Sequence, residues 1–261
     1  MRIGESIERQ NGCSHRAVRA GGKVWIVGIR YVADLAGVRD VTLRGTADLQ
    51  YWERTLGPRM RPLSTDGVAH ILVIAADERF HGIRFQEVSF SVLLEGDPAD
   101  DGAERAFLFA AFNSRRLFAA SERFLFSTPY SHAVIQIELE PPLIEISVGG
   151  EVAFRARAGL QSGTEGRAVT FVDTPWHGAV FLPTGNGPSA QGEAKYFMAL
   201  VSGAGRSVPF TAADQVSLDG DLPFCGALRA SQYTGVSWLM RADARHAKSA
   251  TMRALQQDVL R

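Results

Sequence analysis

Short apolar and β-branched runs follow one another along most of the chain, with Gly, Asp and Pro residues between them. Such runs are typical of strands, and their short spacing favours a barrel or sandwich-like architecture over alternating strands and helices. The predicted strands are Val24–Tyr31, Ala69–Ala75, Phe85–Leu94, Ala106–Phe112, Ala133–Leu139, Leu143–Val148, Val152–Ala156, Ala168–Val172, Tyr196–Val201 and pieces through Val236–Leu239.

Three segments with helical features interrupt these strands. They are Thr46–Leu56, the segment from Asn113-Ser114 to Ser127-Thr128-Pro129, and about Ala242–Val259. Good N-caps precede the second segment and a proline follows it, so it is the best-defined helix of the chain. Helical spacing places four of its apolar residues on one stripe: Leu117, Ala120, Phe124 and Leu125. The third segment is charged, and we expect it on the outside.

The charge balance and the cysteine count narrow the class of protein. The chain has 28 basic and 28 acidic residues and a formal net charge of zero at pH 7. Binding to nucleic acid or to an anionic membrane usually requires a basic surface, so we expect neither partner. No signal-peptide run or membrane span is visible, and two cysteines are too few for a disulfide scaffold. We predict a cytoplasmic protein with an N-terminal tail (residues 1–22) and a single domain (residues 23–261).

Common nucleotide-binding and hydrolase motifs are absent from the sequence. It lacks G-x-G-x-x-G, G-x-x-x-x-G-K-[ST] and the G-x-S-x-G nucleophile elbow. Its six histidines show no H-x-H, H-x-x-x-H or H-E-x-x-H spacing. We therefore expect no cofactor and no metal ion.

The predicted strand at 85–94 alternates strictly between two faces. One face is apolar, with Val88, Phe90, Val92 and Leu94; the other carries Phe85, Glu87, Ser89 and Ser91. If the second face is exposed, Glu87 is an ordinary solvated residue. If it lines a barrel lumen, Glu87 is a desolvated carboxyl with a raised pKa, which suits proton transfer.

A second informative position follows the best-defined helix. Pro129 fixes its own φ and holds Thr128 extended, so Tyr130 leaves the turn in a defined direction at the start of a strand. Such positions suit functional side chains.

Together these segments resemble the acetoacetate decarboxylase-like superfamily. Phe85-Gln86-Glu87 resembles its aromatic-x-Glu element, Arg123 the Arg of its Gly-Arg-Glu, and Pro129 the Pro before its paired lysines. The spacing between the elements agrees as well. Weaker similarity covers most of the chain beyond residue 23. The resemblance implies an α+β, β-rich fold: an antiparallel β-barrel or double barrel with a few peripheral helices. It also implies a homo-oligomer.

The chain departs from this family at the residue that carries the family's chemistry. In the decarboxylases the first Lys after the Pro forms a Schiff base with a keto acid; this chain has Tyr130 there, and Phe124 replaces the Glu of Gly-Arg-Glu. Tyr cannot form an iminium. Only three lysines are present, against 25 arginines. We expect all three at the surface, because Lys is usually exposed: Lys23, Lys195 and Lys248.

The leading hypothesis is therefore an enzyme that uses lysine-independent acid–base chemistry on a small keto acid or polyketide-like carbonyl compound of secondary metabolism. We predict three catalytic residues, Glu87, Tyr130 and His132, which would support enolisation, aldol condensation, dehydration or cyclisation in a lyase-type reaction. The predicted substrate-binding residues are Arg123 and Arg84, as a carboxylate clamp, and Phe85.

Less specific interpretations remain open for the same residues. Tyr130 can simply fill the volume of the missing Lys, and His132 can be a satisfied histidine at a strand edge. If Glu87 lies in the lumen and His132 outside it, the acid–base hypothesis fails for His132. The alternative function is a barrel without catalytic activity that binds a small carbonyl or carboxylate ligand.

Overall fold

A computed structural model describes residues 16–20, 23–27, 29–96, 104–159, 168–183 and 194–254. The chain divides into two units, Met1–Arg30 and Tyr31–Arg261. In the first unit, β1 (Arg16–Ala20) and β2 (Lys23–Val27) form an antiparallel pair. A strand therefore lies within the tail predicted at residues 1–22, of which residues 1–15 are outside the described part.

The second unit is rich in strands and contains three helices in its described residues. Its strands are β3 (Tyr31–Asp48), β4 (Ser64–Thr65), β5 (Val68–Phe80), β6 (Ile83–Leu94), β7 (Glu104–Asn113), β8 (Tyr130–His132), β9 (Val134–Leu139), β10 (Pro142–Val148), β11 (Glu151–Arg157), β12 (Thr170–Val172), β13 (Trp176–Phe181), β14 (Ala194–Ser202), β15 (Gly205–Pro209), β16 (Gln215–Ser217), β17 (Thr234–Ser249) and β18 (Met252–Ala254). The helices are α1 (Leu49–Leu56), α2 (Arg116–Phe126) and α3 (Pro223–Ala230).

Seven of these strands form a barrel. The order is β17-β3-β5-β6-β7-β13-β14, and the pairing of β14 with β17 closes the ring. Neighbours are antiparallel except for β7 and β13, which run parallel. Closure pairs both edges of the sheet, so side chains alternate between the inside of the barrel and its outer face.

A four-stranded sheet, in the order β16-β11-β10-β9, shares its core with the outer face of the barrel. Phe90 on β6 illustrates the packing: its ring lies 5.2 Å from that of Phe154 on β11 and 4.7 Å from that of Phe224 on α3. Burying one such side chain contributes about 1.5–3 kcal/mol. The main core therefore lies outside the barrel, which leaves the inside available for a cavity.

The β-rich α+β barrel fold predicted from the sequence is confirmed. The first two helices also lie close to their predicted positions. Helix α1 begins at Leu49, three residues later than predicted, because β3 continues to Asp48 and the Asp48 side chain accepts a hydrogen bond of 2.6 Å from the Tyr51 amide. Helix α2 lies within its predicted segment.

The buried stripe predicted for α2 is wrong. Three of its residues, Leu117, Phe124 and Leu125, are 72–86% exposed, and Ala119 is the residue that this helix buries. Helical spacing identifies an apolar face, but it does not show whether a neighbouring element covers that face.

The third predicted helix is also wrong. Residues 242–249 belong to β17, which pairs with β3 through Ala244↔Val38, His246↔Leu35 and Lys248↔Ala33. Residues 255–259 of that predicted helix lie outside the described part. The third helix of the structure is α3, which has a proline in its first turn. No helix among the described residues is long and apolar enough to span a membrane.

Candidate active site

A cavity of about 370 Å³ lies inside the barrel. All seven barrel strands contribute to its wall, together with α2 and Tyr130 of β8. A cavity of this size falls within the range of small-molecule sites. Most of its wall is apolar, and its ionisable side chains are Glu78, Glu87, Glu122, His246, Lys248 and Tyr130.

Strand β6 supplies the polar face that the sequence predicted. Phe85, Glu87, Ser89 and Ser91 all line the cavity. The alternate residues, Val88 among them, are buried in the outer core. The conditional reading of the sequence is thus resolved: the second face of β6 faces an enclosed space, and Glu87 is not a solvated surface residue.

Glu87 and Tyr130 form one hydrogen-bonded pair in this cavity. The Tyr130 hydroxyl donates to the Glu87 carboxyl. Burial, followed by the nearby carboxylates of Glu78 and Glu122, raises the pKa of Glu87 to about 8. Burial and the same carboxylates also raise the pKa of Tyr130 well above its ordinary value. Both groups therefore hold a proton at neutral pH, as a general acid requires.

Lys248 also lies in the cavity, so its expected surface position is wrong. Its side chain is 17% exposed and forms an ion pair with Glu122 of α2. Its Nζ lies 4.6 Å from the centre of the Phe197 ring, 4.9 Å from that of Phe126 and 5.6 Å from that of Tyr130. A primary amine thus lies close to the residue that replaces the family's lysine.

Behind the cavity wall, His246 connects two buried carboxylates. Its Nε2 lies 3.0 Å from Asp40 Oδ2, and its Nδ1 lies 2.9 Å from Glu78 Oε1. Arg241 approaches the other oxygen of Asp40 at 3.2 Å. Burial opposes the charged imidazole, but the hydrogen bonds to Asp40 and Glu78 outweigh it and raise the pKa of His246 to about 10. The four groups form a buried network whose charges balance.

Three predicted site residues do not reach the cavity. His132 is exposed, because β8 has only three residues and its alternation does not continue: Ser131 and His132 are both exposed after the buried Tyr130. Arg84 is 57% exposed and its Nε donates to Asp77 Oδ1 at 2.8 Å. Arg123 is exposed on α2. The structure therefore does not support the predicted carboxylate clamp, whereas Phe85 lines the cavity as expected.

Sequence reasoning missed four residues of the site: Glu78, Glu122, His246 and Lys248. The last two are separated by one residue on β17 and share its inward face, a spacing that the helical reading of this segment concealed. Lys195 donates to Ser127 Oγ at 3.0 Å and is not among the described residues that line the cavity. Among the described residues, no cluster of His, Cys, Asp and Glu has the arrangement of a metal site.

No protein-family model and no curated protein sequence matches this chain. Solved structures do. Acetoacetate decarboxylase from Legionella pneumophila superposes with a TM-score of 0.55 at 15% identity, covering 90% of this chain and 92% of that one. The enduracididine biosynthesis enzyme MppR complexed with pyruvate gives a TM-score of 0.54 at 14% identity, covering 84% and 89%. MppR complexed with the condensation product of pyruvate and imidazole 4-carboxaldehyde also gives 0.54, at 12% identity, covering 94% and 98%.

These similarities extend over most of each chain. The protein therefore has the acetoacetate decarboxylase-like fold. At this level of identity the comparison establishes the fold, and the chemistry must be argued from the residues in the cavity.

The pKa of Glu87 predicts how stability depends on pH. It is about 8 in the folded protein and about 4.3 in an unfolded chain, so the folded state binds the extra proton between these values. Stability should therefore fall as pH rises from about 4.3 to about 8, by at most about 1.4 kcal/mol per pH unit. We expect Glu87→Gln to reduce this decline in urea unfolding and to be more stable than wild type at pH 8.5.

The matched control is Glu53→Gln, which alters an exposed glutamate on α1 and should retain the wild-type pH profile. Parallel profiles for Glu87→Gln and wild type would show that Glu87 does not keep its proton in the folded protein.

Proposed function

We propose that this protein is an enzyme that forms an imine between Lys248 and a small carbonyl compound, with Glu87, Tyr130 and Glu122 transferring protons. The observation that carries the proposal is the position of Lys248 Nζ in the cavity, ion-paired with Glu122 and surrounded by three aromatic rings. The neighbouring structures support the substrate class, since MppR has been crystallised with pyruvate and with a condensation product of pyruvate.

The reaction begins with the transfer of a proton from the Lys248 ammonium to Glu122, the carboxylate that contacts it. The Nζ lone pair then forms a bond to the carbonyl carbon as the C=O π bond breaks. The oxygen takes a proton from Glu87, and Glu87 regains one from the new C–N centre. A second proton, from Glu122, lets the oxygen leave as water while the nitrogen lone pair forms the C=N bond. Both carboxyl groups return to their starting states.

The resulting iminium withdraws electrons from the adjacent carbon. A C–H, C–C or C–O bond at that carbon breaks more readily as a consequence, which is the common first step of enolisation, decarboxylation, aldol cleavage and dehydration. Tyr130 and Glu87 are the groups with protons to donate in this region of the cavity. Water is limited there by the apolar wall, which protects the imine from hydrolysis.

A second candidate function is the lysine-independent acid–base chemistry expected from the sequence. The hydrogen bond between Tyr130 and a protonated Glu87 favours it, because these two groups can polarise a carbonyl without any covalent bond. In this form Lys248 and Glu122 would remain an ion pair and only shape the cavity.

Reductive trapping tests the proposal. The protein is incubated with acetone, reduced with borohydride and analysed by peptide mass spectrometry. We expect one isopropyl group on Lys248, because reduction converts the imine into a stable secondary amine. Lys195→Arg should retain the label, and Lys248→Arg should lose it. With only three lysines in the chain, the modified residue is assigned without ambiguity.

The unlabelled outcomes separate the other functions. If no protein is labelled but acetone exchanges its α-hydrogens for deuterium, the lysine-independent mechanism replaces the proposal. If a ketone binds without label or exchange, the protein is a non-catalytic binding barrel. Labelling of Lys195 in place of Lys248 would also refute the assigned role of Lys248.

A further inference from the structure

We infer that the cavity selects an uncharged ketone or aldehyde with an apolar body, and discriminates against keto acids. The carbonyl group in this statement rests on the proposed function, whereas the preference for a neutral molecule rests on the charges in the cavity wall. It differs from the carboxylate ligand that the sequence suggested, because Arg84 and Arg123 are exposed and do not line the cavity.

The cations at the cavity already have carboxylate partners. Lys248 contacts Glu122, and His246 lies between Glu78 and Asp40. Glu87 adds a third glutamate to the wall. A substrate carboxylate beside Lys248 would therefore lie near the carboxylate of Glu122 and would have to compete for a cation that is already neutralised. Repulsion of this kind between like charges is strong where little water screens it.

The ionisable and apolar groups occupy different ends of the cavity. The register of β5 and β6 pairs Ala76 with Glu87, Ile74 with Ser89 and Leu72 with Ser91. At a rise of about 3.3 Å per residue, Ser91 lies about 13 Å along the strand from Glu87. The carbonyl-binding end is thus continued by a wall that includes Leu72 and Ile74, which suits an apolar substituent.

The volume of the cavity points in the same direction. A cavity of about 370 Å³ has room for about twelve water molecules at about 30 Å³ each. A three- or four-carbon keto acid would fill only part of this space and would leave apolar surface in contact with water. A ketone with an aryl or extended alkyl group would fill both ends.

Two alcohols that cannot form an imine test the charge preference separately from the chemistry. 4-Phenyl-2-butanol is neutral, and 2-hydroxy-4-phenylbutanoate carries a carboxylate in place of its methyl group. We expect calorimetry at pH 7 to show at least about tenfold tighter binding of the neutral alcohol. Equal affinities, tighter binding of the hydroxy acid, or no binding of either would overturn the inference.

A substitution identifies the source of the discrimination. Glu122→Gln removes the carboxylate that neutralises Lys248, so the hydroxy acid should bind at least about tenfold more tightly and the ratio should narrow. Glu53→Gln, on the exposed surface of α1, should leave the ratio unchanged. A ratio that stays the same in Glu122→Gln contradicts the role assigned to the ion pair.

The corresponding ketones separate this inference from the proposed function. Trapping with 4-phenyl-2-butanone and with 4-phenyl-2-oxobutanoate should label Lys248 more efficiently with the ketone. If the keto acid is the better label, the proposed function stands and the inferred selectivity is wrong. If neither labels Lys248 while the alcohols keep their tenfold difference, the charge preference stands and the imine is refuted.

Discussion

Replacing His246 by alanine should lower the free energy of unfolding by about 3–5 kcal/mol, the usual cost of removing one partner from a buried ion pair. The loss leaves Glu78, which is 4% exposed, without its cationic neighbour at 2.9 Å. Asp40 would keep Arg241 at 3.2 Å. For a domain of this size the change corresponds to a fall in Tm of roughly 6–20 °C, which thermal unfolding followed by circular dichroism would detect.

A double variant distinguishes the loss of a charge partner from a simple packing defect. Glu78→Gln in the His246→Ala background removes the uncompensated carboxylate and should recover about 1–2 kcal/mol. His70→Ala, which alters a histidine with a hydrogen bond of 3.0 Å to Thr65, should change stability by less than about 1 kcal/mol. If the double variant is no more stable than His246→Ala alone, the network does not act through charge pairing.

The pH dependence of this network has a definite sign. The pKa of His246 is about 10 in the folded protein and about 6.5 when unfolded. A group whose folded pKa is raised contributes its full stabilisation below the unfolded value and loses it as pH rises through the folded one. The stability contributed by His246 should therefore be complete below pH 6.5 and absent above about pH 10.

Local patterns in the sequence were sufficient to predict the parts of the site that depend on one strand or one turn. The alternation of β6 placed Glu87 and Phe85 on the same face, and Pro129 placed Tyr130 at the start of β8. Both features follow from backbone geometry over a few residues. The same reasoning failed at His132, because the alternation does not hold in a strand of three residues.

The rest of the site depends on contacts between distant segments. Lys248 meets Glu122 across 126 residues, and Arg241 meets Asp40 across 201. The Ala-, Arg- and Lys-rich composition of residues 242–249 favours a helix on intrinsic propensity. Pairing with β3 and β14 overrides that preference and turns His246 and Lys248 inward. Neither the override nor the partners can be seen from one segment alone.

The position of Lys248 gives the missing lysine after Pro129 a different meaning. A barrel allows neighbouring strands to present side chains to the same internal space, so an amine can approach one point in the cavity from more than one strand. Tyr130 occupies the family position, and Lys248 Nζ lies 5.6 Å from the centre of its ring. The absence of a lysine after Pro129 therefore excludes a Schiff base at Tyr130 only.

Replacing Lys248 should abolish α-hydrogen exchange in a neutral ketone. We expect Lys248→Met to slow deuterium incorporation into 4-phenyl-2-butanone by about 1,000-fold or more, the scale of losses seen when a nucleophile is removed. The reason is that the iminium, and not the free ketone, acidifies the α-hydrogens. Proton NMR in deuterated buffer measures the rate. Lys195→Met should exchange at the wild-type rate.

Arginine and a chemically restored amine separate nucleophilicity from charge. Lys248→Arg keeps a cation beside Glu122 but cannot form an imine, so it should be as slow as Lys248→Met. Lys248→Cys treated with 2-bromoethylamine ends in a primary amine again and should regain exchange. Cys225 should resist the reagent, because it is buried and burial raises the pKa of its thiol to about 11. Fast exchange in Lys248→Arg would mean that Lys248 supplies charge alone, and the proton transfers would then belong to Glu87 and Tyr130 without a covalent intermediate.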